Sequence, residues 1–370
     1  MAYNWQHKGW PDFTYNLSGI EERLFLFSEK TGMVSGMLNA LPETVKTEAI
    51  IELMVAEAVK TSEIEGEFLS RRDVMSSIKN NLGLNTPKEK VADKRAKGIG
   101  MLMADIRETY TDALTQADLF RWHNMLMAYN PKIDSGKWRT HTVPMQVISG
   151  AIGKETVHYE APPSKRVPKE MSGFIRWFND SVPGGKKEIK KALVRSAIAH
   201  LYFESIHPFE DGNGRIGRAI SEKALSQGIG RPVVLSLSGT IEKHKQDYYN
   251  ALKKAQRTMN ITEWVSYFVD VAIAAQQSAE DLVTFSLKKV RFFDKYKNDL
   301  NERQFKVIKK MLDAGPAGFE GGMNAGKYSS MTKVSKATAT RDLQDLLQKG
   351  AIIYLGESGG RSTKYQVYLS

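Results

Sequence analysis

A proline at position 208, followed closely by glycines at 212 and 214, separates two strongly helical stretches. The chain must stop, turn and restart there. Upstream, residues 192–205 carry Leu193, Ala197, Ile198 and Leu201 at helical spacing; downstream, residues 215–227 resume the pattern. The interruption holds His207, Pro208, Phe209, Glu210, Asp211, Gly212, Asn213, Gly214, Arg215, Ile216, Gly217 and Arg218. An imidazole, two carboxylates, a Gly-Asn-Gly turn and two arginines thus fall within a single helix–turn–helix.

That set suits a polyphosphate with a proton transfer beside it. Glycines let backbone N–H groups converge on an anion, and the N-terminus of the following helix adds free donors and a positive dipole end. Arg215 and Arg218 are three apart, so both reach one side of the first turn. Asp211 is the nearest carboxylate able to hold Mg²⁺ between phosphates. A neutral His207 can accept a proton from an attacking hydroxyl, since its ordinary pKa lies near neutrality.

The stretch resembles the signature of the Fic (filamentation induced by cAMP) family, His-x-Phe-x-(Asp/Glu)-Gly-Asn-Gly-Arg-x-x-Arg, with every defined position matched. The resemblance covers roughly residues 119–260, and the aromatic-rich start (Trp5, Trp10, Phe13, Tyr15) resembles the N-terminal extension of many bacterial members. It implies a mainly α fold: a helical Fic core with a small β-hairpin flap. It also implies AMP transfer from ATP to a protein hydroxyl, with release of pyrophosphate. On this resemblance His207 is the base and Asp211 the Mg²⁺ ligand. Gly212, Asn213 and Gly214 form the anion cradle, Arg215 and Arg218 contact the distal phosphates, and Phe209 is a core anchor.

Three further segments acquire expected roles from it. Residues 144–150 and 155–160 are β-prone pieces around a glycine-containing turn, read as a hairpin. The resemblance makes Val147, Ile148, Val157, His158, Tyr159 and Glu160 a flap that docks the target by strand addition. Tyr248, Tyr249 and Gln256 resemble the segment lining the nucleoside pocket; adjacent helical positions diverge, so one tyrosine is expected in the pocket and the other in the core. Thr61 to Gly66 resembles the family's inhibitory motif, (Ser/Thr)-x-x-x-Glu-(Gly/Asn), at the end of a helix over about 45–66 with Ile50, Ile51, Met54, Val55 and Val59 as its apolar stripe. Thr61 and Glu65 share a face, and Glu65 at a helix C-terminus needs a nearby cation, for which Arg218 is the candidate.

The chain of 370 residues contains no cysteine, which excludes disulfides, thiolate metal sites and cysteine nucleophiles. The N-terminus has no apolar leader-like run, and the apolar stretch at 265–275 is too short to span a bilayer. A cytoplasmic protein with no membrane partner is expected. Of a net charge of +11, most lies beyond residue 285, where 16 Lys and Arg face 8 Asp and Glu.

Helical patterns at 71–80, 91–109, 117–128, 169–179 and 241–259, a connector helix at 288–300, helical pieces at 302–314, 331–334 and 336–349, and strands at 351–355 and 363–369 complete the expected elements. Three domains follow: 1–104 with the inhibitory helix, 105–284 as the catalytic core, and 285–370 as a connector and winged helix-turn-helix. Ser335, Lys336, Thr338, Thr340 and Arg341 begin its recognition helix, with Arg361 and Lys364 on the wing. DNA binding and a role in homodimerisation or target docking remain equal alternatives for it. The expected function is a protein adenylyltransferase using ATP and Mg²⁺. It acts on a Ser, Thr or Tyr hydroxyl of a target or of itself, and is restrained by Glu65 pairing with Arg218. The alternatives are a DNA-binding regulator with a nucleotide-sensing Fic core, and a Fic enzyme that removes AMP or both adds and removes it.

Overall fold

A computed structural model describes residues 2–149, 156–316, 318–356 and 363–369. The chain divides into two compact units, one of Met1–Met33 with Ile50–Ala279 and one of Val34–Ala49 with Glu280–Ser370. The helices are α1 (Glu21–Asn39), α2 (Glu43–Ile64), α3 (Arg71–Asn81), α4 (Lys94–Glu108), α5 (Gln116–Met127), α6 (Val167–Asp180), α7 (Ala192–Ile206), α8 (Asn213–Ile229), α9 (Leu237–Lys243), α10 (Lys245–Ala255), α11 (Thr262–Tyr296), α12 (Glu302–Leu312), α13 (Ala325–Thr332) and α14 (Lys336–Gln348). Two antiparallel strand pairs accompany them: β1 (Gln146–Ser149) with β2 (Thr156–Glu160), and β3 (Ile352–Tyr354) with β4 (Tyr365–Val367).

In the first unit α7 is the central rod. Every residue from Leu193 to Ile206 is buried, as expected for a helix that is apolar nearly all round. Of its polar members, Arg195 donates to Ser181 Oγ, to the Phe178 and Ala224 carbonyls and to Gln227, and Ser196 pairs with Ser221. α8 packs along α7, and Trp122, Phe174, Phe203, Phe209 and Ile216 join them in one core. The aromatic start packs here as well. Trp10 meets Phe13 and Tyr202 edge-on, and Asn4 donates to Ser205 Oγ at 2.7 Å.

The second unit has its own core of Val307, Ile308, Leu312, Tyr328, Ala339, Leu343, Leu346 and Ile352. Asp342, buried within it, accepts from Arg303 and from the Tyr328 hydroxyl, each at 2.9 Å. The α12–α13–α14–β3–β4 order has β3 and β4 in register from Ile352 opposite Val367 to Tyr354 opposite Tyr365.

Several expected elements change. The single helix at 241–259 is two helices, broken where His244 leaves helical dihedrals (φ −128, ψ 43) and Ser236 caps α9 through the Gly239 N–H. The connector at 288–300 is no separate helix but the end of the 35-residue α11. The piece at 331–334 is the tail of α13, which starts earlier because Asn324 accepts from the Lys327 N–H as an N-cap, and which stops at left-handed Lys333. Arg361 and the hairpin turn at 150–155 lie outside the described residues.

Candidate active site

His207 sits where α7 ends. It is the C-cap, in the left-handed conformation (φ 50), and its N–H still donates to the Phe203 carbonyl at 3.0 Å. A residue other than glycine rarely holds that conformation unless its surroundings fix it. Here Arg139 supplies the fixation: its Nε donates to the His207 carbonyl at 2.7 Å, and its own N–H donates to the Pro208 carbonyl at 3.0 Å. Its other guanidinium nitrogens reach the Pro162 and Ile206 carbonyls and Ser164 Oγ. The buried guanidinium thus gathers the orphan carbonyls of a helix end, and burial lowers its pKa to about 10.

The turn that follows is pinned from within. Asn213, expected to face an anion, spends its side chain on the loop: Oδ1 accepts from the Phe209 N–H at 3.0 Å and Nδ2 donates to the Phe209 carbonyl at 2.9 Å. Phe209 is fully buried and stacks on His123 at 4.0 Å, in keeping with its expected anchoring role. Gly212 adopts φ +81 as the N-cap of α8. Asp211, with its side chain 55% exposed, accepts from the Gly212 N–H at 2.5 Å. It also lies 3.8 Å from Arg215 Nη2, at the mouth of the turn. Among the described residues no three His, Asp or Glu side chains converge as a metal cluster.

The two arginines near the start of α8 are both 3% exposed, and each meets a different carboxylate. Arg218 donates to Thr61 Oγ1 at 2.6 Å, to the Thr61 carbonyl at 2.9 Å and to Glu65 Oε1 at 2.6 Å. The four-residue spacing of Thr61 and Glu65 therefore matches one guanidinium. Gly66, at φ +82, turns the chain away directly afterwards. A Cβ on Gly214 would stand 2.2 Å from Glu65 Oε1, so the Glu65 carboxylate lies against the glycine turn itself. Burial alone would raise the Glu65 pKa, but Arg218, Arg215 and Lys245 outweigh it and hold it below the usual range. Burial likewise disfavours charge on Arg218, and Glu65 more than offsets it.

Arg215 donates to Glu67 Oε2 at 2.7 Å, and Tyr129 donates to the other Glu67 oxygen at 2.9 Å. Neither Glu67 nor Arg139 was expected from the sequence. Glu67 stands two residues past the motif that drew attention to Glu65. Arg139 lies 68 residues before the histidine it holds, with no local pattern to mark it.

A cavity of about 690 Å³ opens beside this turn, within the usual range for small-molecule sites. Its walls bring together Glu65, His207, Gly214, Tyr248, Tyr249 and Gln256 with the hairpin residues Val147, Ile148, His158 and Tyr159. Both tyrosines border the cavity, but their side chains diverge. Tyr248 is buried with its hydroxyl 2.9 Å from His200 Nε2, while Tyr249 is more exposed and donates to the Ile64 carbonyl at 3.4 Å. Gln256 is buried, and its amide nitrogen donates to the Glu204 carbonyl at 3.3 Å.

On the hairpin, Gln146 opposes Glu160 and Val147 opposes Tyr159; a bulge then shifts the register so that Ile148 opposes Val157. Ile148 (53%) and Val157 (39%) are exposed. Tyr159, expected to face a target, is instead buried, its hydroxyl donating to the Ser205 carbonyl at 2.6 Å. It anchors β2 to the end of α7. Glu160 accepts from Gln146 Nε2, and its carbonyl accepts from Trp5. His158 lies 3.4 Å from Lys253 Nζ.

Comparison with known proteins gives these residues a context. Residues 113–225 match the family model for the Fic/DOC family, and residues 3–84 match a domain of unknown function (DUF4172). A protein adenylyltransferase Fic from Nematostella vectensis is 24% identical over 145 residues, covering 39% of this chain and 29% of that protein. A probable protein adenylyltransferase from Aquifex aeolicus is 27% identical over 163 residues, covering 44% and 43%. The chain thus spans less than half the length of these curated relatives. Among solved structures, a Fic family protein from Desulfovibrio desulfuricans G20 aligns with a TM-score of 0.54 at 20% identity, over 97% of this chain and 98% of that one. A Fic domain containing signaling protein from Bacteroides thetaiotaomicron aligns at 0.52 and 18% identity, over 70% and 95%. No described helix is long and apolar enough to cross a membrane. With His207, the Gly212–Gly214 turn and both arginines on α7 and α8 inside the matched stretch, residues 113–225 carry a domain of the Fic/DOC family.

Proposed function

We propose that this protein transfers AMP from ATP to a hydroxyl side chain of a protein, itself or another, and that Glu65 restrains the reaction by holding Arg218. The observation that carries the reading is the Glu65 carboxylate against Gly214 and 2.6 Å from Arg218. A helix N-terminus with glycines and a buried arginine attracts an anion, and the chain supplies its own. An incoming triphosphate would compete for the same groups.

The other residues fit that use. Burial and Arg139 lower the His207 pKa to about 4, so the imidazole is neutral at pH 7 and able to accept a hydroxyl proton. Asp211, exposed at the mouth of the turn, suits Mg²⁺, which binds through one or two carboxylates and substrate phosphates rather than in an all-protein cage. Mg²⁺ so held would neutralise phosphate charge. The backbone of Gly212 to Gly214 would meet phosphate oxygens, while Tyr248, Tyr249 and Gln256 would flank the nucleoside. Ile148 and Val157 would meet the target segment along the open strand edge. For the second unit we read α12–α14 with β3–β4 as a winged helix-turn-helix. Lys336, Thr340, Arg341 and Lys364 are all exposed, which favours a polyanion such as DNA. A salt-dependent gel shift tests that part.

Parallel incubations of the Glu65→Gly variant with Mg²⁺ and either α- or γ-labelled ATP test the main reading. Label reaching protein from the α position alone is expected. Label from the γ position, or from neither, contradicts it.

A further inference from the structure

Beside His207, in the wall of the same cavity, lies a buried polar group that the reading above does not use. Glu204 is one helical turn before His207 on α7, and Glu204 Oε2 stands 3.7 Å from His207 Nδ1. Three buried polar atoms here have no hydrogen-bond partner: Glu204 Oε1, His207 Nδ1 and His200 Nδ1. Such orphans are rare in folded proteins and call for a reason. Space for the carboxyl comes from α8, where a Cβ on Gly217 would fall 2.4 Å from Glu204 Oε1 and 3.3 Å from His200 Nδ1.

We propose that Glu204 is a positioning residue for His207: its carboxyl takes the Nδ1–H of the imidazole and so leaves the Nε2 lone pair toward the cavity. This rests on the reading of His207 as the base. The 3.7 Å separation is longer than a hydrogen bond, but catalytic hydrogen bonds often tighten only when substrate is present. A histidine base works in one tautomer, and the group facing its second nitrogen selects it. His207 is a C-cap with no helical turn beyond it, and Arg139 fixes its backbone without touching the ring. Glu204 is the carboxyl placed to hold the ring itself.

The charge states make the pair unusual. The spacing is that of an ion pair, yet both groups are neutral near pH 7. Burial raises Glu204 to about 8, with Arg218 opposing and Glu65 adding to the rise. Burial and Arg139 hold His207 near about 4, against the nearby Glu204 backbone carbonyl, Glu65 and Asp211. His200, with its other nitrogen at the Tyr248 hydroxyl, is also neutral, near about 4. At pH 7 a protonated carboxyl therefore faces the ring through its carbonyl oxygen. As pH rises through about 8 the carboxyl ionises, and the imidazolium formed when a hydroxyl proton moves to Nε2 gains a counter-charge.

The test is Glu204→Gln, which keeps the shape of the protonated acid, in the full chain with ¹³C-labelled histidine. In the parent, the His207 ring resonance should shift once near pH 4 and again near pH 8; Glu204→Gln should lose the second step. A step near pH 8 that survives the substitution overturns the proposal. In the Glu65→Gly background, Glu204→Gln should lower kcat for AMP transfer by about tenfold or more, leave KM for ATP unchanged, and abolish the rise in rate through pH 8. Gly217→Ala, which closes the space for the carboxyl, should lower kcat in the same sense. Unchanged kcat and pH profile in both variants also overturns it. If no variant transfers AMP, the proposed activity fails while the resonance titration still decides the role of Glu204.

Discussion

The α7–α8 turn and the β1–β2 hairpin border one cavity and are built in opposite ways. In the turn nearly every polar group is spent internally: Asn213 on Phe209, Arg139 on the carbonyls at the end of α7, Arg218 on Thr61 and Glu65, Arg215 on Glu67. The hairpin is tied by Tyr159 and Trp5 to the elements beneath it, and elsewhere shows Ile148 and Val157 to solvent with a bulge between its pairs. A site that must place a base and an anion to within fractions of an ångström needs over-determined geometry. A surface that must accept another chain needs unpaired edge and exposed apolar side chains. On the proposed function, chemistry belongs to the first and recognition to the second.

The largest effect expected from breaking the contrast is at His207. His207→Ala should reduce AMP transfer by roughly 10²–10⁴-fold, measured with α-labelled ATP, with little change in melting temperature. Next is the pin within the turn. Asn213→Ala leaves the buried N–H and carbonyl of Phe209 without partners and should cost on the order of 2–4 kcal/mol, read from urea unfolding; a cost near zero would mean that the turn is not held from within.

The enclosure of α8 can be tested by pH. Burial and the neighbouring Glu57 raise Glu222 to about 8, with Arg107 opposing. A carboxyl whose folded pKa is raised favours the fold fully below its unfolded value near 4.5, and that contribution is lost as pH rises toward 8. Glu222→Gln should therefore melt like the parent at pH 4.5 and several degrees higher at pH 8 and above. The smallest structural effect is expected on the hairpin. Ile148→Ser should change stability by no more than about 0.5 kcal/mol yet reduce labelling of a separate target protein.

The same contrast marks how far the sequence could be read. The turn was legible because its groups are consecutive: His207, Asp211, the glycines and both arginines occupy twelve residues. The Thr61–Glu65 spacing was legible because one helix face carries both. What escaped were partners brought together only by packing. Arg139 and Glu67 carry no motif, and the buried Tyr159 looked like any alternating strand residue. Asn213 looked like a ligand because its neighbours do; only the fold reveals that its amide is already used. Helix boundaries failed where a single residue decided them, at His244 and Asn324.

On the proposed function, the Glu65 contact keeps Arg218 from a phosphate. The direct measurement is the initial rate of label transfer from α-labelled ATP, in Mg²⁺, by Glu65→Gly and by the parent chain at equal concentration. The account predicts a rate at least about tenfold higher for the variant, the effect of freeing one buried charge-assisted contact. Equal rates would contradict it.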